Sequence, residues 1–310
     1  MSVLLVASTG GHLRELVRLR PRFDFREPVV WVTFHGRQSE ALLSGEQIEF
    51  AAETAPRDYR NVARNAVLAR RLLREHEVTR VVSTGAGVAL SFLPLARALG
   101  IEAHYIESAA RIDGPSLTGR LLSAVPGVRL YVQHAGWPSP RWRYAGSVFD
   151  GFASAGANGG SVSPVRVVVT LGTLQFGFER LVRRLSRILP KDADVLWQTG
   201  STPVNGLPGA RQTLRPDELR AAFSEADVVV THAGVGSTIN ALEAGRCPIV
   251  VPRLRRFGEH VDDHQTQMAS ELAGRGLAIA RDADEISFGD LEKAAARGVR
   301  AAAPPPFDLR

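Results

Sequence analysis

Two short segments place a histidine among glycines directly after an apolar run. Ser8-Thr9-Gly10-Gly11-His12 follows Val3 to Ala7, and His232-Ala233-Gly234-Val235-Gly236-Ser237 follows Val228 to Val230. Each reads as a strand, a turn and a helix. Glycine there lets backbone N–H groups approach a ligand, and the helix N-terminus favours negative charge. A phosphorylated substrate suits both turns, which lie about one domain length apart and predict one site built from two halves. A third cluster, Glu259, His260, Asp262, Asp263, His264 and Gln265, stands at the start of a later helix, and acceptors at that density suit the hydroxyls of a sugar.

The elements that must carry these residues follow from periodicity. Short β-branched runs, Val3 to Ala7, Val29 to Thr33, Arg80 to Ser83, Glu102 to Ile106 and Leu130 to Gln133, alternate with amphipathic stretches at 58–76 and 87–99. That alternation predicts a parallel sheet wound with crossover helices. A Gly/Ala/Ser tract at 151–164 has no apolar periodicity and reads as a linker. A second series follows, with Val165 to Thr170, Val195 to Trp197, Val228 to Thr231, Pro248 to Val251 and Leu277 to Ala280. The expected fold class is α/β, two Rossmann-like αβα domains facing across a cleft: residues 1–150, a linker 151–164, residues 165–300, and a tail 301–310 that frays after Pro304-Pro305-Pro306. Ligands in such sheets sit beyond the carboxyl ends of strands, where both glycine turns fall.

Composition narrows the function classes. The net charge of +6 comes from arginine, since only Lys191 and Lys293 are lysines. The arginines are scattered (Arg14, Arg18, Arg20, Arg70, Arg71, Arg183, Arg184) and lack an interleaved aromatic platform, so the pattern argues against nucleic acid as a partner. The single cysteine, Cys247, cannot form an internal disulfide, which fits a reducing cytoplasm. No signal peptide or apolar run of membrane-spanning length is visible, so membrane contact is expected to be peripheral, on the inner face of the cytoplasmic membrane.

The motifs carry a family resemblance. VTLGT at 169–173, HAGVGS at 232–237 and VPR with GEHVDDHQ between 251 and 265 occur in the order found in the C-terminal, donor-binding domain of family 28 glycosyltransferases of the GT-B class. They are more closely similar to the catalytic subunit of the two-subunit enzyme that adds the second GlcNAc to dolichol-linked GlcNAc, and to bacterial exopolysaccharide and capsule transferases of that type. SxGGHLxEL from Ser8, STGAGVA from Ser83, Tyr105-Ile106-Glu107-Ser108, RIDGPSLTGRL from Arg111 and Tyr131-Val132-Gln133 resemble the acceptor-side partner subunit, so the chain looks like a fusion of the pair.

The resemblance implies an inverting, metal-independent transfer of a hexose from a UDP-sugar to a polyprenyl-diphosphate-linked saccharide, with no cofactor. The donor diphosphate is assigned to His232, Gly234, Gly236 and Ser237, with Gly172 and Thr173 closing over it. Glu259, Asp263, His264 and Gln265 are assigned to the sugar, and Leu214 and Arg215 to uracil. Asn240 stands where relatives transferring GlcNAc carry a ribose-binding glutamate, and as a neutral group it lacks the charge-assisted component. Glu243, one turn on, is a substitute for it or an ordinary surface acid. His12, its imidazole kept neutral by a helix N-terminus, is the expected base and Glu107 the alternative. Gly10, Gly11, Gly85, Arg111, Ser116 and Thr118 are assigned to the acceptor. Arg111 and Arg120 are expected to face phosphate, and Leu117, Leu121 and Leu122 the bilayer. The dolichol-pathway partner has an N-terminal membrane anchor, which residues 2–7, running into polar Ser8, are not expected to form. Two rival readings are a nonhydrolysing UDP-sugar epimerase of the same architecture and a sugar-nucleotide-binding subunit that needs a partner.

Overall fold

The computed structural model describes all 310 residues except 56, 57, 138, 158–163, 174 and 205. The chain forms two compact units, Met1–Val148 joined by Pro304–Arg310, and Phe149–Ala303.

In chain order the first unit contains β1 (Ser2–Ala7), α1 (Gly11–Leu19), β2 (Val29–Phe34), α2 (Arg37–Leu42), β3 (Gln47–Ala51), α3 (Tyr59–Glu75), β4 (Val78–Gly85), α4 (Ala89–Ala98), β5 (Glu102–Ile106), α5 (Leu117–Ser123), β6 (Arg129–Val132) and β7 (Arg143–Tyr144). Its sheet has the order β3-β2-β1-β4-β5-β6-β7 and every pairing is parallel. Strand β1 is SVLLVA, buried at all six positions, as a central parallel strand covered on both faces must be. Helix α3 starts where the Asp58 side chain accepts the Asn61 N–H at 3.1 Å, and it buries Asn65, Ala69, Leu72 and Leu73 at helical spacing.

The second unit contains β8 (Phe152–Ala157), β9 (Arg166–Thr170), α6 (Glu179–Ile188), β10 (Asp194–Gln198), β11 (Ala210–Arg211), α7 (Pro216–Glu225), β12 (Val228–His232), α8 (Val235–Glu243), β13 (Ile249–Val251), α9 (His264–Gly274), β14 (Ile279–Ala280), α10 (Phe288–Ala295) and β15 (Arg297–Ala301). Its sheet runs β11-β10-β9-β12-β13-β14, again wholly parallel. Both sheets are therefore of the Rossmann-like type expected from the alternating pattern.

Two expectations are corrected. The tract read as a linker is a strand over 152–157, paired antiparallel with β15; residues 158–163 lie outside the described residues. Its pairing runs through the main chain, so the small side chains left no apolar rhythm to read. The tail does not fray. Phe307 is 2% exposed, its N–H donates to Arg22 O at 3.0 Å, and Tyr131 Oη donates to Arg310 O at 2.8 Å. A single aromatic after three prolines ties the chain end to the first unit.

Candidate functional site

In the first unit the site is built on the turn between β1 and α1. His12, half-buried, places Nδ1 2.7 Å from Thr84 O. A carbonyl only accepts, so Nδ1 carries the proton and the basic lone pair is on Nε2. Thr84 Oγ1 returns a bond to His12 O at 2.8 Å. Gly85 lies against the ring, with φ +107 and a site where an added Cβ would stand 3.1 Å from His12 Cε1. Strand β4 thus sets both the tautomer and the orientation of an imidazole carried by the helix that follows its neighbouring strand, β1. The sequence singled out His12 and Gly85 but not Thr84, whose carbonyl has no sequence signal.

Gly10, with φ +91, supplies the left-handed turn, but its N–H donates to Gln38 Oε1 at 2.5 Å and its carbonyl accepts Gln38 Nε2 at 3.1 Å. The Gln38 amide therefore pins Gly10, whose N–H is committed inside the protein and not offered to a ligand as expected. Gly11 begins α1 beside it.

Glu107 is corrected as well. It is 1% exposed; Oε1 accepts from Tyr105 Oη (3.2 Å) and Ser108 N (3.1 Å), and Oε2 from Ser116 N (2.9 Å) and Ser116 Oγ (3.0 Å). Burial raises its pKa, and the four donors moderate that effect. A carboxylate so enclosed organises the 107–116 loop instead of meeting an incoming hydroxyl. Ser116 is engaged in the same way, since its hydroxyl also caps α5 by accepting Gly119 N–H at 3.1 Å. Thr118 is half-buried in the first turn of α5, and the Arg111 N–H closes a turn onto Ser108 O at 2.9 Å.

One acid in this unit escaped notice. Glu15, one helical turn after His12, is wholly buried and accepts Ser108 Oγ (2.6 Å), Ala109 N (2.9 Å) and Gln133 Nε2 (2.6 Å). Burial lifts its pKa to about 7. On α5, Leu117 and Leu121 are 52% and 44% exposed, with Arg120 exposed between them, whereas Leu122 is fully buried and is core, not a lipid contact.

In the second unit the geometry centres on His232, the last residue of β12. Its ring is 6% exposed and lies against two glycines from different loops. A Cβ on Gly172 would come within 2.5 Å of His232 Cε1, and one on Gly234 would collide with Nε2. Gly172, with φ +75, follows β9 directly; Gly234 caps α8, and its N–H closes onto His232 O at 2.6 Å. Burial first, then the charge of Arg253, push the His232 pKa down to about 3, so the ring is neutral. Gly236 and Ser237 occupy the first turn of α8, where backbone N–H groups have no intrahelical partner, and Asn240 and Glu243 follow on the same helix. The helix begins at Val235.

Thr173 is exposed beside Gly172. Gln198 Nε2 donates to Gly172 O at 2.9 Å and holds that loop to the end of β10. A cavity of about 410 Å³, lined among others by Thr199, Gly200, Thr202, Pro203, Leu207 and Gln212, opens after β10, and the chain runs from Gln212 directly to Leu214 and exposed Arg215 at the start of α7. The expectation named only Leu214 and Arg215 there.

The acidic and histidine cluster divides. Glu259, expected to hold sugar hydroxyls, is 5% exposed; Oε1 and Oε2 accept Arg180 Nε and Nη2 at 3.0 and 3.1 Å, and Oε2 also takes Leu254 N at 3.0 Å. Arg180 further bonds Asp282 and, at 3.0 Å, Asp284, and this network fastens α6 to the loops beyond β13 and β14. Gln265 is 2% exposed and accepts Arg253 N at 2.9 Å. These two are internal supports. Asp263 is exposed and accepts Arg255 N at 2.8 Å. His264 Nδ1 is in contact with Asp262 Oδ1, and His260 Nδ1 is 3.4 Å from the same oxygen. One ligand atom from each of these three residues lies within 4.8 Å of the others, the grouping of a three-ligand metal set. No helix among the described residues is long and apolar enough to cross a membrane.

Comparison with known proteins fits this geometry. Residues 166–296 match the glycosyltransferase family 28 C-terminal domain. Along 306 aligned residues the chain is 28% identical to the UDP-N-acetylglucosamine--N-acetylmuramyl-(pentapeptide) pyrophosphoryl-undecaprenol N-acetylglucosamine transferase of a Synechococcus species, covering 90% of this chain and 83% of the relative. Over 73 residues it is 37% identical to the UDP-N-acetylglucosamine transferase subunit ALG13 of Yarrowia lipolytica, covering 23% of this chain and 35% of that one. Among solved structures, MurG from Acinetobacter baumannii superposes with a TM-score of 0.59 at 20% identity, covering 94% of this chain and 89% of that one, and so shares the GT-B fold.

Proposed function

We propose, on the match of residues 166–296 to the glycosyltransferase family 28 C-terminal domain, that the chain is an inverting hexosyltransferase. In this reading it moves a sugar from a UDP-sugar to a polyprenyl-diphosphate-linked saccharide during assembly of an exopolysaccharide, capsule or other envelope glycan. The observation that carries the proposal is the coincidence of that domain with a neutral His232 packed between Gly172 and Gly234 at the start of α8.

The diphosphate is held by the N–H groups of the first turn of α8 and the Ser237 hydroxyl, with the Gly172–Thr173 loop over it. The nucleoside occupies the cavity after β10 beside Leu214, and Asn240 meets the ribose. Sugar hydroxyls are met by Asp263 and His264. In the first unit, His12 Nε2 takes the acceptor hydroxyl proton as that oxygen bonds to the anomeric carbon. The bond from this carbon to the diphosphate oxygen breaks with its electron pair going to UDP, whose growing charge meets the α8 N-terminus. Exposed Leu117, Arg120 and Leu121 set the protein against the cytoplasmic face of the membrane. The reading assigns residues 1–150 to the acceptor, residues 165–300 to the donor, and no metal to the transfer.

The test is transfer from a panel of UDP-sugars into membrane extract containing prenyl-diphosphate-linked saccharide, with and without a chelator. The expected result is acceptor-dependent release of UDP that the chelator leaves unchanged and that His12→Ala abolishes while UDP affinity stays within about twofold. Turnover of the donor alone points to the epimerase reading, and loss of activity with the chelator refers the metal question to His260, Asp262 and His264.

A further inference from the structure

One side chain of the second unit has no part in this scheme. Arg253, two residues beyond β13, is 1% exposed. Its Nη2 donates to Leu171 O at 2.6 Å, its backbone N–H to Gln265 Oε1 at 2.9 Å, and its guanidinium carbon is 5.5 Å from the centroid of the Phe178 ring. Nε and Nη1 are buried and have no hydrogen-bond partner among the described residues. The acid that acts on it is Glu259, whose two oxygens are engaged by Arg180. Burial therefore draws the Arg253 pKa down to about 10, with Glu259 only partly opposing it. An enclosed cation with two unmatched donor nitrogens is costly unless an anion compensates it.

The neighbourhood indicates which anion. Arg253 acts on His232, whose buried ring also meets the Thr170 backbone, and that ring lies against Gly172 and Gly234, the glycines of the two loops assigned above to the diphosphate. Leu171, whose carbonyl Arg253 holds, immediately precedes Gly172. Gln265, which holds the Arg253 backbone, stands in the first turn of α9.

We propose that Arg253 is a positioning residue whose buried charge is the counter-charge of the donor diphosphate, acting across the His232 ring while its hydrogen bonds fix the Gly172 loop. This rests on the donor reading above and gives a role to a residue that stands within the VPR motif but was not assigned to the site. The charge lies in a low-dielectric interior, where its field reaches an anion that it does not touch.

Calorimetric titration of wild type, Arg253→Met, Arg253→Gln and Arg253→Lys with UDP and with uridine tests it, each variant first checked for folding by circular dichroism. The expected result is that the methionine variant weakens UDP binding about ten- to thirtyfold with uridine binding within about twofold, and that lysine restores most of the difference. Glutamine, which keeps a donor for Leu171 O without the charge, takes the place of methionine if that variant fails to fold. Equal loss of UDP and uridine affinity assigns Arg253 to packing alone and overturns the inference, as does an unchanged UDP affinity; in both cases wild-type preference for UDP over uridine leaves the donor reading intact. No such preference in the wild type overturns both.

Discussion

Glu15→Gln isolates a pH dependence that the structure fixes in sign and size. Glu15 is wholly buried, and burial is the first cause of a pKa raised from 4.5 to about 7, with Glu107 adding a like-charge contribution. A carboxyl whose folded pKa lies above its unfolded one binds its proton more tightly in the native state. The stability it contributes is therefore present below the unfolded value and lost as pH rises through the folded one. The full shift corresponds to about 3.4 kcal/mol, of which about 2.5 kcal/mol is lost between roughly pH 5 and roughly pH 8. The amide is always neutral, so it removes this dependence. Its NH₂ group, however, faces some of the donors Ser108 Oγ, Ala109 N and Gln133 Nε2, which costs the variant about 1 to 2 kcal/mol throughout. Wild type is thus the more stable near pH 5, and the difference falls by about 2.5 kcal/mol near pH 8, where the order is reversed. Urea unfolding followed by tryptophan fluorescence measures this in the right unit, because Trp31, Trp137 and Trp142 lie in the first unit and only Trp197 in the second. A wild-type advantage that stays constant with pH, or grows as pH rises, refutes the raised pKa.

Gly172→Ala places a side chain at φ +75 and a Cβ within 2.5 Å of His232 Cε1, so it is expected to cost about 1 to 3 kcal/mol and to weaken UDP binding; Gly100→Ala, at φ +78 with nothing within 4 Å, supplies the backbone strain alone and shows the smaller loss in thermal melts. Leu117→Glu with Leu121→Glu is expected to lower co-sedimentation with anionic vesicles at unchanged melting temperature, whereas Leu122→Glu, at a fully buried position, unfolds the protein; vesicle binding unaffected by the double variant removes α5 from the membrane contact.

The two parallel sheets were legible because their strands are buried on both faces and read as β-branched runs, as in Val3 to Ala7 and Val228 to Val230. Strands that lack that exposure pattern were not. β3 is half-exposed and mixed in character, β7 and β11 have two residues each, and β8 reads as linker composition because its partner is Arg297–Ala301, far along the chain. The same limit applied within the site. His12, His232 and Gly234 stood out through glycine spacing, and Gly172 through the family resemblance of VTLGT. Glu15 and Arg253 stand within the quoted motifs SxGGHLxEL and VPR but received no role, because their burial depends on remote partners: Ser108 and Gln133 stand 93 and 118 residues from Glu15, and Leu171 stands 82 from Arg253. Glu259 failed in the opposite direction, since its donors come from Arg180, 79 residues away, and consume a carboxylate that sequence alone offered to a sugar.

Sheet order explains why the two histidines resemble each other. In the first unit the order reverses between β1 and β4, and His12, after β1, lies against Gly85 at the end of β4. In the second the reversal falls between β9 and β12, and His232, ending β12, lies against Gly172 after β9. Each imidazole spans the switch point of its own sheet, where the crossover connections diverge and leave a crevice for a ligand. Local sequence supplies the glycine and the histidine, but the packing between them exists only because two strands distant in the chain are neighbours in the sheet. The two rings are held by different means. His12 directs its Nδ1–H to the Thr84 carbonyl, which leaves Nε2 as the nitrogen that can take a proton, whereas His232 is neutral through burial and the charge of Arg253 and is too weak a base to take a proton near neutral pH. That asymmetry is the one the proposed transfer requires, with the proton acceptor in the first unit and the anion site in the second.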